Sequence, residues 1–353
     1  MSQDDRDAQE SQEERPSQPF RAGLVLDGRY RLERPLAEGG MGAVWVAQQL
    51  ALERQVAVKV LHATDEAAQA RLRHEALALA AVHHPAVVQV YDYGETEAGV
   101  PYAVMELVHG ESLGAYLRRM GALPAEEAVA LVLPLLEGLA AAHQVGIVHR
   151  DIKPDNVILA VASSGVAPKL LDFGIARRED VDRLTAEGSL VGTPAYMAPE
   201  QVRGGEIDER VDVWAMGVLL YQLIAGETPF AADNVFAVMR SLLDNPPPYP
   251  RRARGLNGRL WAILMAALRK DPAERTPSAL ALREALAGWL GVHEPRAPST
   301  PHRTAPVVVT PPAAVSHLEV TLPAAPDARG APNGTQDAPV SFDPLIRAKF
   351  GDG

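Results

Sequence analysis

Hydrophobic and polar positions follow two different periods along this chain. From Arg29 to Val60 the pattern is short, β-branched and alternating, as in strands with one buried face, and it is broken by Glu38-Gly39-Gly40-Met41-Gly42. This predicts a twisted antiparallel hairpin followed by a third strand over 55–61. Residues 65–82 then carry Leu72, Ala76, Leu79 and Ala80 at helical spacing, and strand-like runs follow at 87–93 and 102–107. From Ser112 to about Gly291 helical periods dominate, over 113–120, 125–144, 211–225, 235–243, 256–268 and 277–289, with a loop-rich stretch at 149–200. The expected fold class is α+β: a small β-rich lobe, about 30–106, joined to a larger helical lobe, about 107–290.

Both ends read differently. Residues 1–22 are rich in Gln, Ser, Glu and Asp, and order is expected to begin near Tyr30, so 1–29 reads as a disordered acidic segment. Residues 291–353 are dense in proline and alanine with no sustained period, and read as a disordered or polyproline-like tail. Within that tail, the apolar residues Phe342, Leu345, Ile346 and Phe350 leave open a short docking motif beside a plain disordered end. The tail is expected to recruit a partner rather than to serve catalysis.

Composition removes several classes of function. The 353 residues are 47% hydrophobic, enough for a sizeable core, and carry a net charge of −11. A net-acidic chain without a long Lys/Arg block is a poor nucleic-acid binder. There is no cysteine, which excludes disulfides, thiolate metal sites and thiol nucleophiles, and fits a reducing compartment. The most apolar long stretch, 125–142, contains Glu126, Glu127, Pro134 and Glu137, so it reads as a buried helix and not as a span. The N-terminal residues show no signal-peptide pattern. A cytoplasmic protein without a membrane span is expected.

Polar residues then concentrate in an ordered set of motifs. Leu36-Ala37-Glu38-Gly39-Gly40-Met41-Gly42-Ala43-Val44 joins two strands, and glycines there let backbone N–H groups approach phosphate oxygens. The same run also reads as an ordinary hairpin turn. Lys59, in Val56-Ala57-Val58-Lys59-Val60, can reach phosphates from the neighbouring strand. A half-buried ammonium needs an anionic partner, and Glu75 on the following helix is the obvious one. The run His149-Arg150-Asp151-Ile152-Lys153-Pro154-Asp155-Asn156 sets a carboxylate, an ammonium and an amide in one tight loop, able to orient a hydroxyl, screen a transferring phosphate and hold a metal. Asp172, in Leu171-Asp172-Phe173-Gly174, is a second metal-ligand candidate, and Gly192-Thr193-Pro194-Ala195-Tyr196-Met197-Ala198-Pro199-Glu200 follows.

Taken in this order, these motifs resemble those of the eukaryotic-type (Hanks-type) serine/threonine protein kinases, in particular the bacterial branch, from about Tyr30 to Leu290. The resemblance implies a bilobal protein-kinase-like fold and transfer of the γ-phosphoryl group of ATP to Ser/Thr hydroxyls of proteins. It implies that Lys59 holds the α and β phosphates and pairs with Glu75, and that Asp151 receives or orients the substrate hydroxyl's proton. Lys153 would screen the moving phosphoryl group, and Asn156 and Asp172 would hold Mg²⁺, or Mn²⁺ in its place. Backbone groups of Glu106 and Val108 would face adenine, with Met105 behind it and Val44, Ala57 and Ile158 sandwiching the ring; all of these also read as ordinary core. Lys153 and Thr193 resemble the Ser/Thr pattern rather than the Tyr one.

Other matches are structural in character. Asp212 resembles the aspartate that braces the catalytic loop, Arg275 the buried partner of Glu200, and Leu79, His149 and Phe173 a stack between the lobes. Arg150 precedes Asp151, a pair in which the arginine binds a phosphorylated activation loop. Thr185 and Ser189 are the hydroxyl candidates for that phosphate, modified in trans within a transient homodimer, and they also read as plain polar loop residues. One position departs from the family pattern: Ala37 stands where the loop's first glycine is usual.

Overall fold

The computed structural model of this protein describes residues 20–39, 42–61, 69, 73, 76–162, 165–173 and 194–293. The expected features at Gly40, Met41, Glu75, Thr185, Ser189, Thr193 and in the tail from 294 lie outside these residues. Glu38 and Gly39 are described in backbone only.

The first sheet is antiparallel and has six strands: β1 (Val25–Leu26), β2 (Tyr30–Gly39), β3 (Gly42–Gln49), β4 (Arg54–Leu61), β5 (Val90–Glu95) and β6 (Pro101–Met105), in the order β1-β2-β3-β4-β6-β5. Alternation puts Trp45, Val56, Val58, Tyr102 and Val104 on one buried face. Phe20 and Leu26 join that core, and β1 pairs with β2. Folded chain therefore starts before Tyr30, and the expectation of disorder through residue 29 is corrected for 20–29. Phe20 and the short run Leu24-Val25-Leu26 are too brief to show a period; the burial of Phe20 and Leu26 is a tertiary event.

The helical part is built around α1 (Leu113–Met120), α2 (Ala125–Gln144), α3 (Pro199–Arg203), α4 (Arg210–Ala225), α5 (Val235–Asp244), α6 (Gly258–Ala267) and α7 (Ala279–His293). Side-chain oxygens of Ser112, Asn234 and Asn257 accept N–H groups at the starts of α1, α5 and α6. Helix α4 is buried at nearly every position, which its unbroken apolar sequence requires. Helix α2 packs against α4 and α7. A Cβ at Gly138 would lie 2.9 Å from Val87, so glycine lets α2 approach the segment that leads into β5. No helix among the described residues is long and apolar enough to cross a membrane.

A second sheet was not expected. Strands β7 (Gly110–Ser112), β8 (Val157–Ala162) and β9 (Gly165–Leu170) form a three-stranded antiparallel sheet, with β8 and β9 inside the stretch read as loop. Val157 and Leu159 are buried and Ile158 half-buried, a true alternation, but alanine, glycine and proline dilute it to below recognition. This small sheet carries the chain into and out of the candidate site.

Candidate active site

The segment leaving α2 is held from below by α4. One oxygen of the fully buried Asp212 carboxylate accepts the His149 N–H at 2.8 Å, and the other accepts the Arg150 N–H at 2.8 Å. His143, in the last turn of α2, donates from Nε2 to the same carboxylate at 2.8 Å. Arg150 has φ of +63°, a left-handed conformation that costs energy outside glycine, and the bond to Asp212 helps offset it. The role of Asp212 as brace follows directly from these bonds. His143 was missed in the sequence; its signal is a histidine on the apolar stripe Leu135, Leu136, Leu139, Ala142 of α2.

That brace presents Asp151 and its neighbours in fixed relation. Lys153 Nζ lies 3.1 Å from Asp151 Oδ2. Asn156 Nδ2 donates to the Asp151 main-chain oxygen at 2.7 Å and to Oδ2 at 2.9 Å. With both amide hydrogens used in this way, Asn156 offers Oδ1 purely as an acceptor. Leu171 N–H donates to Asn156 O at 2.8 Å, tying this loop to the segment that carries Asp172. Asp172 also sits at positive φ, +48°, and its Oδ1 meets Lys59 Nζ at 2.6 Å. The structure thus gives Lys59 a partner 113 positions away that the sequence did not suggest.

Lys59 lies on β4, opposite Val44 of β3 and Ala103 of β6, with only 17% of its side chain exposed. Ala57 is paired with Met105, and a small buried cluster of Ala57, Val88, Ala103 and Met105 is flanked by Val44, Leu107, Val108 and Leu171. Leu36 and Ala37 are exposed on β2, and Gly39 closes on Gly42. The described non-glycine residues at positive φ are Asp27, Glu53, Arg150 and Asp172. Ala37 is not among them, so alanine sits there without backbone strain.

His149 is fully buried, and its ring stacks on Phe173 with centroids 4.4 Å apart. Nε2 donates to Leu171 O at 2.9 Å and Nδ1 accepts the Asp151 N–H at 3.3 Å, so the ring is neutral and acts as a structural tie. Burial lowers its pKa, against the opposing pull of Asp212 and Asp151. The unfolded chain therefore binds a proton near pH 6.5 that the folded chain refuses, and stability falls as pH drops below that value. In His149→Phe the acid slope of unfolding free energy should be shallower than in wild type, by at most ~1.4 kcal/mol per pH unit for one proton. Urea titrations at pH 7, 6 and 5 measure this; parallel slopes would remove His149 from the pH response.

The fold and these bonds define a site where a β-rich lobe and a helical lobe meet, built on the paired charges Lys59–Asp172 and Lys153–Asp151. The chain matches the protein kinase domain model over residues 30–285 and belongs to that family. It is 43% identical over 278 residues to the serine/threonine-protein kinase pkn2 of Myxococcus xanthus, covering 75% of this chain and 33% of that protein. It is 39% identical over 324 residues to the serine/threonine-protein kinase PknB of Mycolicibacterium smegmatis, covering 89% and 49%. It is 38% identical over 294 residues to the serine/threonine-protein kinase PknL of Mycobacterium tuberculosis, covering 80% and 72%. The chain thus spans a third to about half the length of the first two. These relatives identify the bacterial Hanks-type serine/threonine branch, whose members use ATP with a divalent metal.

The residues present suit both groups. Asn156 Oδ1 and the Asp172 carboxylate are hard oxygen donors on adjoining, hydrogen-bonded segments. No group of three or more His, Cys, Asp or Glu able to hold a metal ion lies among the described residues, and Asn156 with Asp172 supplies two protein donors. Such a pair suits a hard divalent cation whose remaining positions are filled by other oxygens. At the lobe junction, Glu106 N–H is spent on Gln89 O at 2.9 Å, whereas no backbone partner is found for Glu106 C=O or Val108 N–H among the described residues.

Proposed function

We propose that this chain is an ATP-dependent serine/threonine protein kinase that transfers the γ-phosphoryl group of Mg²⁺-ATP to Ser/Thr hydroxyls of proteins, with Mn²⁺ as an alternative metal. The observation that carries this reading is the continuous set of bonds from Lys59 through Asp172, and from Leu171 through Asn156 to Asp151 and Lys153. It joins a phosphate-binding cation, two metal-ligating oxygens, a base and a screening cation across two lobes.

In this reading Asp151 receives the hydroxyl proton, Lys153 compensates charge on the moving phosphoryl group, and Asn156 and Asp172 hold the metal. Lys59 faces the α and β phosphates; Glu75 would compete with Asp172 for it. Residues 36–44, Ala57, Met105, Glu106, Val108 and Ile158 surround the nucleotide. The catalytic unit is residues 30–290, and the segment from 291 serves for recruitment of a partner. Arg150, whose Nε is buried without a hydrogen-bond partner among the described residues, would receive phosphate on Thr185 or Ser189, placed there in trans by a second copy.

Incubation of the purified chain with γ-labelled ATP, Mg²⁺ and a generic Ser/Thr acceptor should incorporate label, and excess EDTA should abolish it. Label on the acceptor in EDTA would overturn the metal assignment, and no label at all the activity. Mapping of phosphosites on the kinase itself tests the regulatory reading; absence of both Thr185 and Ser189 from the map removes it.

A further inference from the structure

The segment from Tyr249 to Trp261 carries Arg251, Arg252, Arg254 and Arg259 and no acidic residue, so four arginines stand together in a chain whose net charge is −11. Its two ends touch: the Tyr249 and Trp261 rings meet edge to face with centroids 4.9 Å apart. The arginines therefore share one closed loop. The loop is pinned from within. Ala125 N–H, at the start of α2, donates to Arg254 O at 2.9 Å, and Ala253 N–H donates to Pro250 O at 3.0 Å. Asn257 Oδ1 accepts Leu260 N–H at 3.0 Å and the Trp289 Nε1–H of α7 at 3.1 Å.

All four arginine side chains are exposed, and among the described residues none of them forms an ion pair or a side-chain hydrogen bond. Their placement runs against local electrostatics. Arg259 occupies the first turn of α6, where the free N–H groups favour a carboxylate, and that turn contains no acidic residue. Arg251, Arg252 and Arg254 add like charges to the same loop, and these repel. A bound anion removes both costs, and the planar guanidinium suits a carboxylate in particular. The pinned backbone presents the charges without a further ordering cost on binding.

The complementary charge is carried by the chain itself. Residues 1–19 contain Asp4, Asp5, Asp7, Glu10, Glu13 and Glu14 against Arg6 and Arg15, six negative charges to two positive. That segment joins the fold at Phe20, which is buried in the core of the six-stranded sheet. The arginine loop is bonded instead to the first residue of α2, whose 20 residues span about 30 Å before the chain enters the catalytic loop. Glu13 and Glu14 lie within seven residues of Phe20 and reach at most about 25 Å from it. A second copy, which is free of that tether, is therefore favoured as the source.

We infer that the loop 249–261 is a docking surface for a carboxylate-rich peptide, and that its occupant is the acidic segment 1–19 of a second copy of this chain. The β-rich lobe of one copy is thereby tethered to the helical lobe of another, head to tail, at a surface remote from the catalytic loop. This association needs no ATP, so it stands or falls apart from the kinase reading.

The test uses full-length protein in three forms: wild type, an arginine variant (Arg251→Gln/Arg252→Gln/Arg254→Gln/Arg259→Gln) and an acid variant (Asp4→Asn/Asp5→Asn/Asp7→Asn/Glu10→Gln/Glu13→Gln/Glu14→Gln). In sedimentation at low salt, wild type should self-associate and each variant alone should do so about tenfold more weakly. An equimolar mixture of the two variants should associate again, because it restores one intact loop and one intact segment. Salt at about 0.5 M should dissolve all of these complexes. A labelled peptide of residues 1–19 should bind the acid variant and lose about tenfold in affinity for the arginine variant. The arginine variant should unfold at the wild-type midpoint, since its replaced side chains bond to nothing in the chain. If it unfolds earlier, Arg251→Gln/Arg252→Gln, confined to the loop, repeats the peptide measurement with an expected loss of about threefold. Wild type that stays monomeric up to about 1 mM at low salt overturns the inference. So does a mixture of variants that fails to associate, or peptide affinity that ignores the arginines. A short single-stranded oligonucleotide that binds the loop more tightly than the peptide does would assign it to nucleic acid instead.

Discussion

Asp151→Asn should lose phosphoryl transfer by on the order of 10³-fold in kcat while keeping its fold and its affinity for ATP. Asparagine retains the shape and one oxygen, so Asn156 Nδ2 still finds an acceptor where it now bonds Oδ2 at 2.9 Å, and its bond to the main-chain oxygen at 2.7 Å is untouched. The backbone is held independently, because Asp212 binds the N–H groups of His149 and Arg150. What disappears is the negative charge that offsets Lys153 at 3.1 Å and that, in the proposed role, accepts the hydroxyl proton. The effect should fall on kcat rather than on KM for ATP, because in the proposed role Asp151 meets the attacking group and not the nucleotide. Single-turnover transfer to a generic acceptor, beside ATP binding and urea unfolding of the same protein, separates these terms. Transfer within tenfold of wild type would remove Asp151 as the base.

Which parts of this site could be read from the sequence follows from where the information resides. Helices α1 and α2 are legible to the residue because Ser112 and Pro124 bracket strong apolar periods and Gly121 ends the first of them. Lys59, Asp151, Lys153, Asn156 and Asp172 stand out in the sequence because each lies in a short run of distinctive composition, Lys59 in an apolar strand and the others in polar runs. Their pairing is less legible. A lysine on a strand and a glutamate on the next helix suggest each other by proximity in sequence, whereas Lys59 with Asp172 requires the second sheet to return the chain beneath the first. That sheet was hidden because Gly165-Val166-Ala167-Pro168 carries little β propensity and is held by pairing with β8. The positive φ of Arg150 and Asp172 was equally invisible, since neither residue type announces it.

The second large effect concerns stability. Arg275 is fully enclosed and bidentate on Glu200, at 2.6 and 2.8 Å. It also donates to Arg269 O at 3.0 Å and Arg210 O at 2.8 Å, and its guanidinium lies 5.2 Å from the Trp214 ring centroid. Arg275→Met should cost roughly 3–5 kcal/mol, because Glu200, 8% exposed, is left as an unpaired charge with little access to water, and two carbonyls lose their donor. Lysine should rescue little: a point charge cannot serve two carboxylate oxygens and two carbonyls at once. Arg275→Met/Glu200→Gln should recover part of the loss by removing the stranded charge, and that recovery separates ion-pair breakage from poor packing. The urea midpoint of each variant measures this, and a loss below ~1 kcal/mol in Arg275→Met would show that the pair is not holding the lobe. Glu200 lies in the first turn of α3, directly after the turn at Pro194–Tyr196, whose Tyr196 hydroxyl donates to Gln222 of α4 at 2.5 Å. Freed from Arg275, that turn keeps Tyr196 as a tether to α4, so residues 194–203 should loosen before the Asp212 brace does, and their amide hydrogen exchange should quicken at denaturant levels where that brace is still intact.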